Sequence, residues 1–141
     1  MRPETTFSHW LCDTLKAQCP GIMIQRIETT TGPGVPDIWC NFGWIETKVL
    51  KDLPPTSNAK AIYHPVGSEQ DVWLSRCVES SPRVGVWIAA RSLYDKKVYI
   101  VDVRRLDEPK EVNDWKVVDW ARHEVSKDAI GSTFRPFQHL S

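Results

Sequence analysis

Apolar residues recur at Phe7, Trp10, Leu11 and Leu15, the spacing of one helix face, and Pro3 with Glu4 suits a first helical turn. This pattern predicts a helix ending before Pro20-Gly21. From Ile22 to Thr29 the period drops to two among many β-branched residues, which predicts a first strand, broken by Thr30-Thr31-Gly32-Pro33-Gly34. Val35 to Cys40 and Trp44 to Leu50 follow as second and third strands, folded into a hairpin by the tight turn Asn41-Phe42-Gly43. Pro36 stands near a strand start, where its missing donor is tolerated. Lys51 to Pro65 reads as a polar loop containing Pro54-Pro55. Ser68-Glu69-Gln70-Asp71 then matches a capping box, and Val72, Trp73, Arg76 and Cys77 continue a helix that stops at Ser80-Ser81-Pro82. Val84 to Ala90 and Lys97 to Val103 are two further strands. Beyond Arg104 the pattern divides: Trp115, Val118 and Val125 fit helical spacing, strand alternation fits part of the same stretch, and Gly131 to Ser141 reads as a tail.

The 141 residues correspond to one domain, expected over 1–125 with 126–141 as a C-terminal extension, and 41% hydrophobic content supports a buried core. No secretory signal and no apolar run of membrane length is present, so a cytoplasmic protein without membrane contact is expected. Cys12, Cys19, Cys40 and Cys77 are widely spaced and form no CxxC pair, which argues for reduced thiols acting as small core hydrophobes and against structural zinc. Eighteen basic and eighteen acidic residues cancel. A contact with nucleic acid must therefore be locally basic, and Lys48, Lys51, Lys60, Arg76, Arg83, Arg91, Lys96 and Lys97 are the residues available for it, unless they are simply solvated.

The candidate chemistry lies in the hairpin. Gly34-Val35-Pro36-Asp37 is followed by Glu46-Thr47-Lys48, so two acids and a lysine share two adjacent strands. Glu46 and Lys48 are two apart and project from one face of the third strand, away from Ile45, Thr47 and Val49. Asp37 joins them only if it lies opposite Glu46 or Lys48, or if a bulge near Gly43 turns the strand, since a one-residue slip would face it away. Were the three to converge, Asp37 and Glu46 would offer hard oxygen ligands to Mg²⁺ or Mn²⁺, helped by the backbone carbonyl of Thr47. Lys48 would orient the attacking water or neutralise charge on the phosphorane. The plain alternative is an exposed Glu–Lys ion pair worth about 0–1 kcal/mol. Glu4 stands at the top of the buried stripe of the first helix, either complementing the helix dipole or entering a metal site.

These residues resemble the PD-(D/E)XK nuclease superfamily, whose Pro-Asp and Glu-x-Lys motif is matched by Pro36-Asp37 and Glu46-Thr47-Lys48. Over about residues 3 to 103 the element order also looks like the αβββαβ core of that group. The run from Glu4 through Arg26-Ile27-Glu28 to Gln70-Asp71-Val72-Trp73-Leu74 is similar to VRR-NUC and Holliday-junction resolvase-like nucleases, many of them phage-borne. The resemblance implies a restriction-endonuclease-like α/β fold, a mixed sheet flanked by helices, with metal bound by Asp37 and Glu46 and catalysis by Lys48. It also implies a further acid, Glu4 on the helix or Glu28 on the first strand, although Glu28 can equally be an ordinary exposed strand acid. Gln70 would lie beside the catalytic face and hold water or phosphate, or else satisfy backbone amides at its own helix start.

The function expected is that of a Mg²⁺-dependent DNA endonuclease, acting on duplex or branched DNA and forming a homodimer, since resolvase-like relatives cut paired strands symmetrically. A catalytically inactive DNA-binding or assembly protein on the same fold is the alternative. His9, His64, His123 and His139 do not cluster, and Trp10, Trp39, Trp73 and Trp87 occupy expected core positions, which leaves Trp44 as the tryptophan nearest the site.

Overall fold

The computed structural model describes residues 3–27, 35–50, 62–63, 73, 76–77, 79–80, 84–93, 96–103, 117–118 and 123–134. Helix α1 spans Pro3–Gln18 and buries Phe7, Leu11 and Leu15, the stripe set by its spacing. It stops where Pro20 breaks the helical pattern and Gly21, at φ 85°, turns the chain in a left-handed conformation. Strands β1 (Ile24–Arg26), β2 (Ile38–Cys40) and β3 (Gly43–Leu50) follow as antiparallel neighbours.

Strand β4 (Ile62–Tyr63) pairs with β7 (Val117–Val118) in a separate two-stranded sheet. The main sheet is completed by β5 (Gly85–Ser92), β6 (Val98–Asp102) and β8 (Glu124–Val125). Its order is β1-β2-β3-β5-β6-β8, with β3 and β5 parallel and every other pair antiparallel. Trp73, Arg76, Cys77, Glu79 and Ser80 are helical, in the stretch read from the capping box. This is the mixed sheet with flanking helices expected of the sequence.

Both faces of the sheet are covered, so β3 and β5 are buried along nearly their whole length, the charged Glu46 and Lys48 included. On one face α1 packs Phe7, Leu11 and Leu15 against Ile38, Ile45, Trp87, Ala89 and Ile100. On the other, Leu50, Val86, Ile88, Tyr99 and Val101 pack together, with Trp73 and Cys77 set against them. Glu46 and Lys48 belong to this second face by the two-residue strand period. All four cysteines are reduced thiols, and Cys12, Cys19 and Cys40 are buried. Among the described residues no helix is long and apolar enough to cross a membrane.

Three expectations need revision. The loop expected over Lys51 to Pro65 contains β4, and within the stretch that suited either helix or strand Val117–Val118 and Glu124–Val125 are strand, the first paired with Ile62 and Tyr63. The segment read as a tail begins with helix α2 (Ile130–Phe134), preceded by a 3₁₀ turn at Lys127–Ala129. Ile130 and Phe134 are fully buried, and Phe134 meets Trp87 edge-to-face with ring centroids 4.8 Å apart. Gln18 ties this helix to the end of α1: its Oε1 accepts from the Gly131 amide at 2.6 Å while its Nε2 donates to the Lys127 carbonyl at 2.7 Å. Finally, Trp10, Trp39 and Trp73 are only half-buried; of the four tryptophans expected inside, Trp87 alone is fully buried.

Candidate active site

The hairpin register places the two acids together. Ile38 pairs with Ile45, Trp39 with Trp44 and Cys40 with Gly43, so one further step sets Asp37 level with Glu46. No bulge is needed to bring them round. Asp37 is then locked from the β3 side. Its Oδ2 accepts the Thr47 backbone amide at 2.9 Å and the Thr47 hydroxyl at 2.5 Å, while its carbonyl accepts the Ile27 amide at 2.7 Å. Thr47 lies beyond the last β2 partner and is fully buried, so its amide depends on the carboxylate for satisfaction.

Glu46 and Lys48 occupy the opposite face of β3 from α1 and are buried, with 1% and 7% of their surface exposed. Lys48 Nζ stands 3.3 Å from Glu46 Oε2. An exposed surface ion pair, the plain alternative, is thereby excluded. Burial, followed by the charge of Asp37, pushes the Glu46 carboxyl up from its ordinary 4.5 to about 8, against the pull of Lys48, and the charge of Glu4 adds a smaller upward push. Glu4 is half-buried in the first turn of α1 and thus within electrostatic reach of the pair. Trp44 lies edge-on to Trp73, 5.0 Å between centroids, so the aromatic next to Glu46 is held by the helix covering this face.

The structure thus brings Asp37, Glu46, Thr47 and Lys48 together and sets Glu4 close enough to be felt. Glu28 and Gln70 lie outside the described residues. Among the described residues no group of three His, Cys, Asp or Glu side chains is close enough to hold a metal ion. The donor set nonetheless suits a hard divalent cation: Asp37 and Glu46 stand level on adjacent strands, near enough for the Asp37 charge to raise the Glu46 carboxyl, and a bound cation would relieve that repulsion. The side-chain role of Thr47 is not readable from the sequence, where it appears only as a carbonyl donor; its hydroxyl faces α1 by strand alternation yet reaches Asp37 round the end of β2.

No protein-family model matches the chain, and neither does any curated protein. Among solved structures, the chain is similar to Hjc of Archaeoglobus fulgidus, a Holliday junction resolvase from an archaeal hyperthermophile. The match has a TM-score of 0.53 at 20% identity and covers 95% of this chain and 99% of that one. At this identity the likeness is one of fold. The chain shares, over nearly its whole length, the architecture of a Holliday junction resolvase.

Proposed function

We propose that the chain is a metal-dependent DNA endonuclease that hydrolyses phosphodiester bonds in branched or junction DNA. The observation that carries this reading is the alignment of Asp37 with Glu46 across one hairpin, with the Lys48 ammonium 3.3 Å from Glu46. The fold shared with a junction resolvase supports the choice of substrate. Asp37 and Glu46 would hold Mg²⁺ or Mn²⁺, with Glu4 or Glu28 as the additional acid and the Thr47 carbonyl as a further donor. Bound there, the cation supplies Lewis acidity that lowers the pKa of an attacking water and polarises the phosphate. Thr47 fixes the orientation of Asp37 through two hydrogen bonds to one oxygen, leaving the other oxygen available. Lys48 holds positive charge where negative charge builds during attack, and its burial makes that charge count for more than it would in water. Symmetrical cutting of paired strands requires two copies of this site, so a homodimer is part of the proposal.

The test is cleavage of supercoiled plasmid and four-way junction DNA with Mg²⁺ or Mn²⁺. Lys48→Ala is expected to lower the rate by about 100-fold or more, and Lys48→Arg to impair it as well, because a planar guanidinium does not reproduce the compact point charge of an ammonium buried beside Glu46. A parent protein that cuts neither substrate and binds neither metal removes the hydrolytic reading. The same result, with junction binding retained, would favour a non-catalytic DNA-binding protein on this fold.

A pH dependence follows from Glu46. Its raised carboxyl means that the folded, metal-free chain holds a proton that the unfolded chain has released, across the interval from 4.5 to about 8. Stability in EDTA is therefore expected to fall as pH rises through that interval. Because the cation needs the carboxylate, the gain in melting temperature on adding Mn²⁺ should grow over the same interval. Thermal melts with and without Mn²⁺ check this; a metal-induced shift independent of pH would separate Glu46 from the metal.

A further inference from the structure

On the α1 side of the sheet, away from Glu46 and Lys48, a cleft of about 370 Å³ lies among Trp10, Arg91, Lys96, Lys97, Glu124 and Lys127. Its construction follows from the strand registers. Arg91 pairs with Val98 at the turn end of β5 and β6, Val98 pairs with Val125, and the 3₁₀ turn carrying Lys127 comes immediately after. Two distant stretches, 91–97 and 124–127, thus deliver four cations and one carboxylate to the lining, and α1 adds Trp10, for a local surplus of three positive charges in a chain whose total is zero.

The cations are arranged for an external anion. The Arg91 guanidinium and the Lys127 ammonium both lie over the Trp10 ring, at 5.7 and 5.9 Å from its centroid. Ring contact restrains two long side chains before any ligand arrives, lowering the entropy lost on binding. Lys97 pairs with Glu124 at 3.3 Å, but both side chains are nearly half exposed, and such a pair is weak and readily exchanged for another anion. Lys96 is exposed in the turn between β5 and β6 and adopts φ 63°, its amide donating to the Ser92 carbonyl at 2.9 Å. Arg91 also lies beside Val49, the residue after Lys48, so the cleft sits one strand over from the candidate hydrolytic site and on the other face.

We propose that this cleft binds the phosphate backbone of a nucleic acid, as a second contact separate from the hydrolytic site. The proposal rests on the reading of the chain as a nuclease for its choice of polyanion. Several cations spaced along a cleft suit successive phosphates, and binding of this kind releases counterions and weakens steeply with salt. A DNA held here and cut at Lys48 would have to reach both faces of the sheet. Branched DNA, with arms leaving in different directions, can do so.

The experiment measures binding of fluorescent four-way junction DNA in EDTA, where no cleavage occurs, for the parent and for Lys96→Gln/Lys127→Gln. Both residues are exposed, so the fold should survive, and equal melting temperatures confirm it. The double variant is expected to bind about tenfold more weakly at low salt, with the slope of log affinity against log salt reduced by about 2. Inorganic phosphate at millimolar concentration should not displace the junction; displacement would mark a site for small phosphate anions and overturn the proposal. Unchanged affinity and slope in the variant would overturn it too. Failure of the hydrolytic reading shows separately, as a parent that binds the junction in EDTA and does not cut it when Mg²⁺ or Mn²⁺ is added.

Discussion

Asp37→Asn is expected to lower DNA cleavage by about 100-fold or more while leaving the fold intact, a loss in rate equivalent to about 2.7 kcal/mol. The separation of the two effects comes from the way the carboxylate is held. One oxygen, Oδ2, accepts both the amide and the hydroxyl of Thr47. An asparagine carbonyl can accept the same two hydrogen bonds, so the hairpin keeps its register, while the NH₂ group that replaces the other oxygen cannot ligate a cation. Asp37→Ala makes the contrast. It leaves the Thr47 amide buried without an acceptor and should cost about 1–3 kcal/mol in stability in addition to the loss of activity. Asp37→Asn should also flatten the pH dependence of the metal-free protein, because the Asp37 charge ranks second only to burial among the causes that raise Glu46. Plasmid nicking rates together with urea melts of the two variants read these effects apart. An Asp37→Asn protein that cuts at the parental rate would take Asp37 out of the chemistry.

The second large effect is structural. Gly43→Ala is expected to destabilise the chain by about 3 kcal/mol or more, a large share of the roughly 5–15 kcal/mol that keeps a domain folded. Gly43 opens β3 at φ 148°, in register with Gly85 of β5, and an added Cβ would fall 2.0 Å from the Gly85 carbonyl oxygen. Backbone stands on the other side of that clash, so nothing flexible can yield. The cost reaches the site because this turn sets the β2–β3 register that brings Asp37 level with Glu46. Gly21 is the control: its φ is 85°, but no atom lies within 4 Å of the added carbon. Gly21→Ala should cost only about 1 kcal/mol, the price of the left-handed conformation alone. Equal denaturation midpoints for the two variants would show that the close approach of Gly43 to Gly85 does not constrain the hairpin.

The acid–acid–lysine set was legible in the sequence because its parts are close in the chain: a proline before a strand, a three-residue turn and a two-residue spacing confine Asp37, Glu46 and Lys48 to one hairpin. Their register was not legible, because pairing one residue out of step would have satisfied the same pattern. Burial of Glu46 and Lys48 also escaped the sequence, since an alternating strand suggests one solvated face, whereas the helical Trp73 and Cys77 pack against this one. The C-terminal helix was missed for a different reason. Five residues carry no periodicity, and the burial of Ile130 and Phe134 depends on Trp87 and on Gln18, more than a hundred residues from Gly131. The basic cleft was half visible: Arg91, Lys96 and Lys97 stood among the candidate cations, but Lys127 and Trp10 join them only through the β6–β8 pairing and the packing of α1. Lys48, from the same set of cations, is buried and contributes nothing to a surface patch.

The proposed hydrolysis stands on Asp37 and Glu46 together holding a divalent cation beside Lys48. Crystals of the protein soaked in Mn²⁺ test it most directly, through anomalous scattering at the manganese edge. The expected result is an anomalous peak within about 2–2.5 Å of a carboxylate oxygen from each of Asp37 and Glu46, with Lys48 Nζ alongside and outside the coordination shell. A Mn²⁺ ion bound elsewhere, or carboxylates left apart with Lys48 still paired to Glu46 at saturating metal, would contradict it.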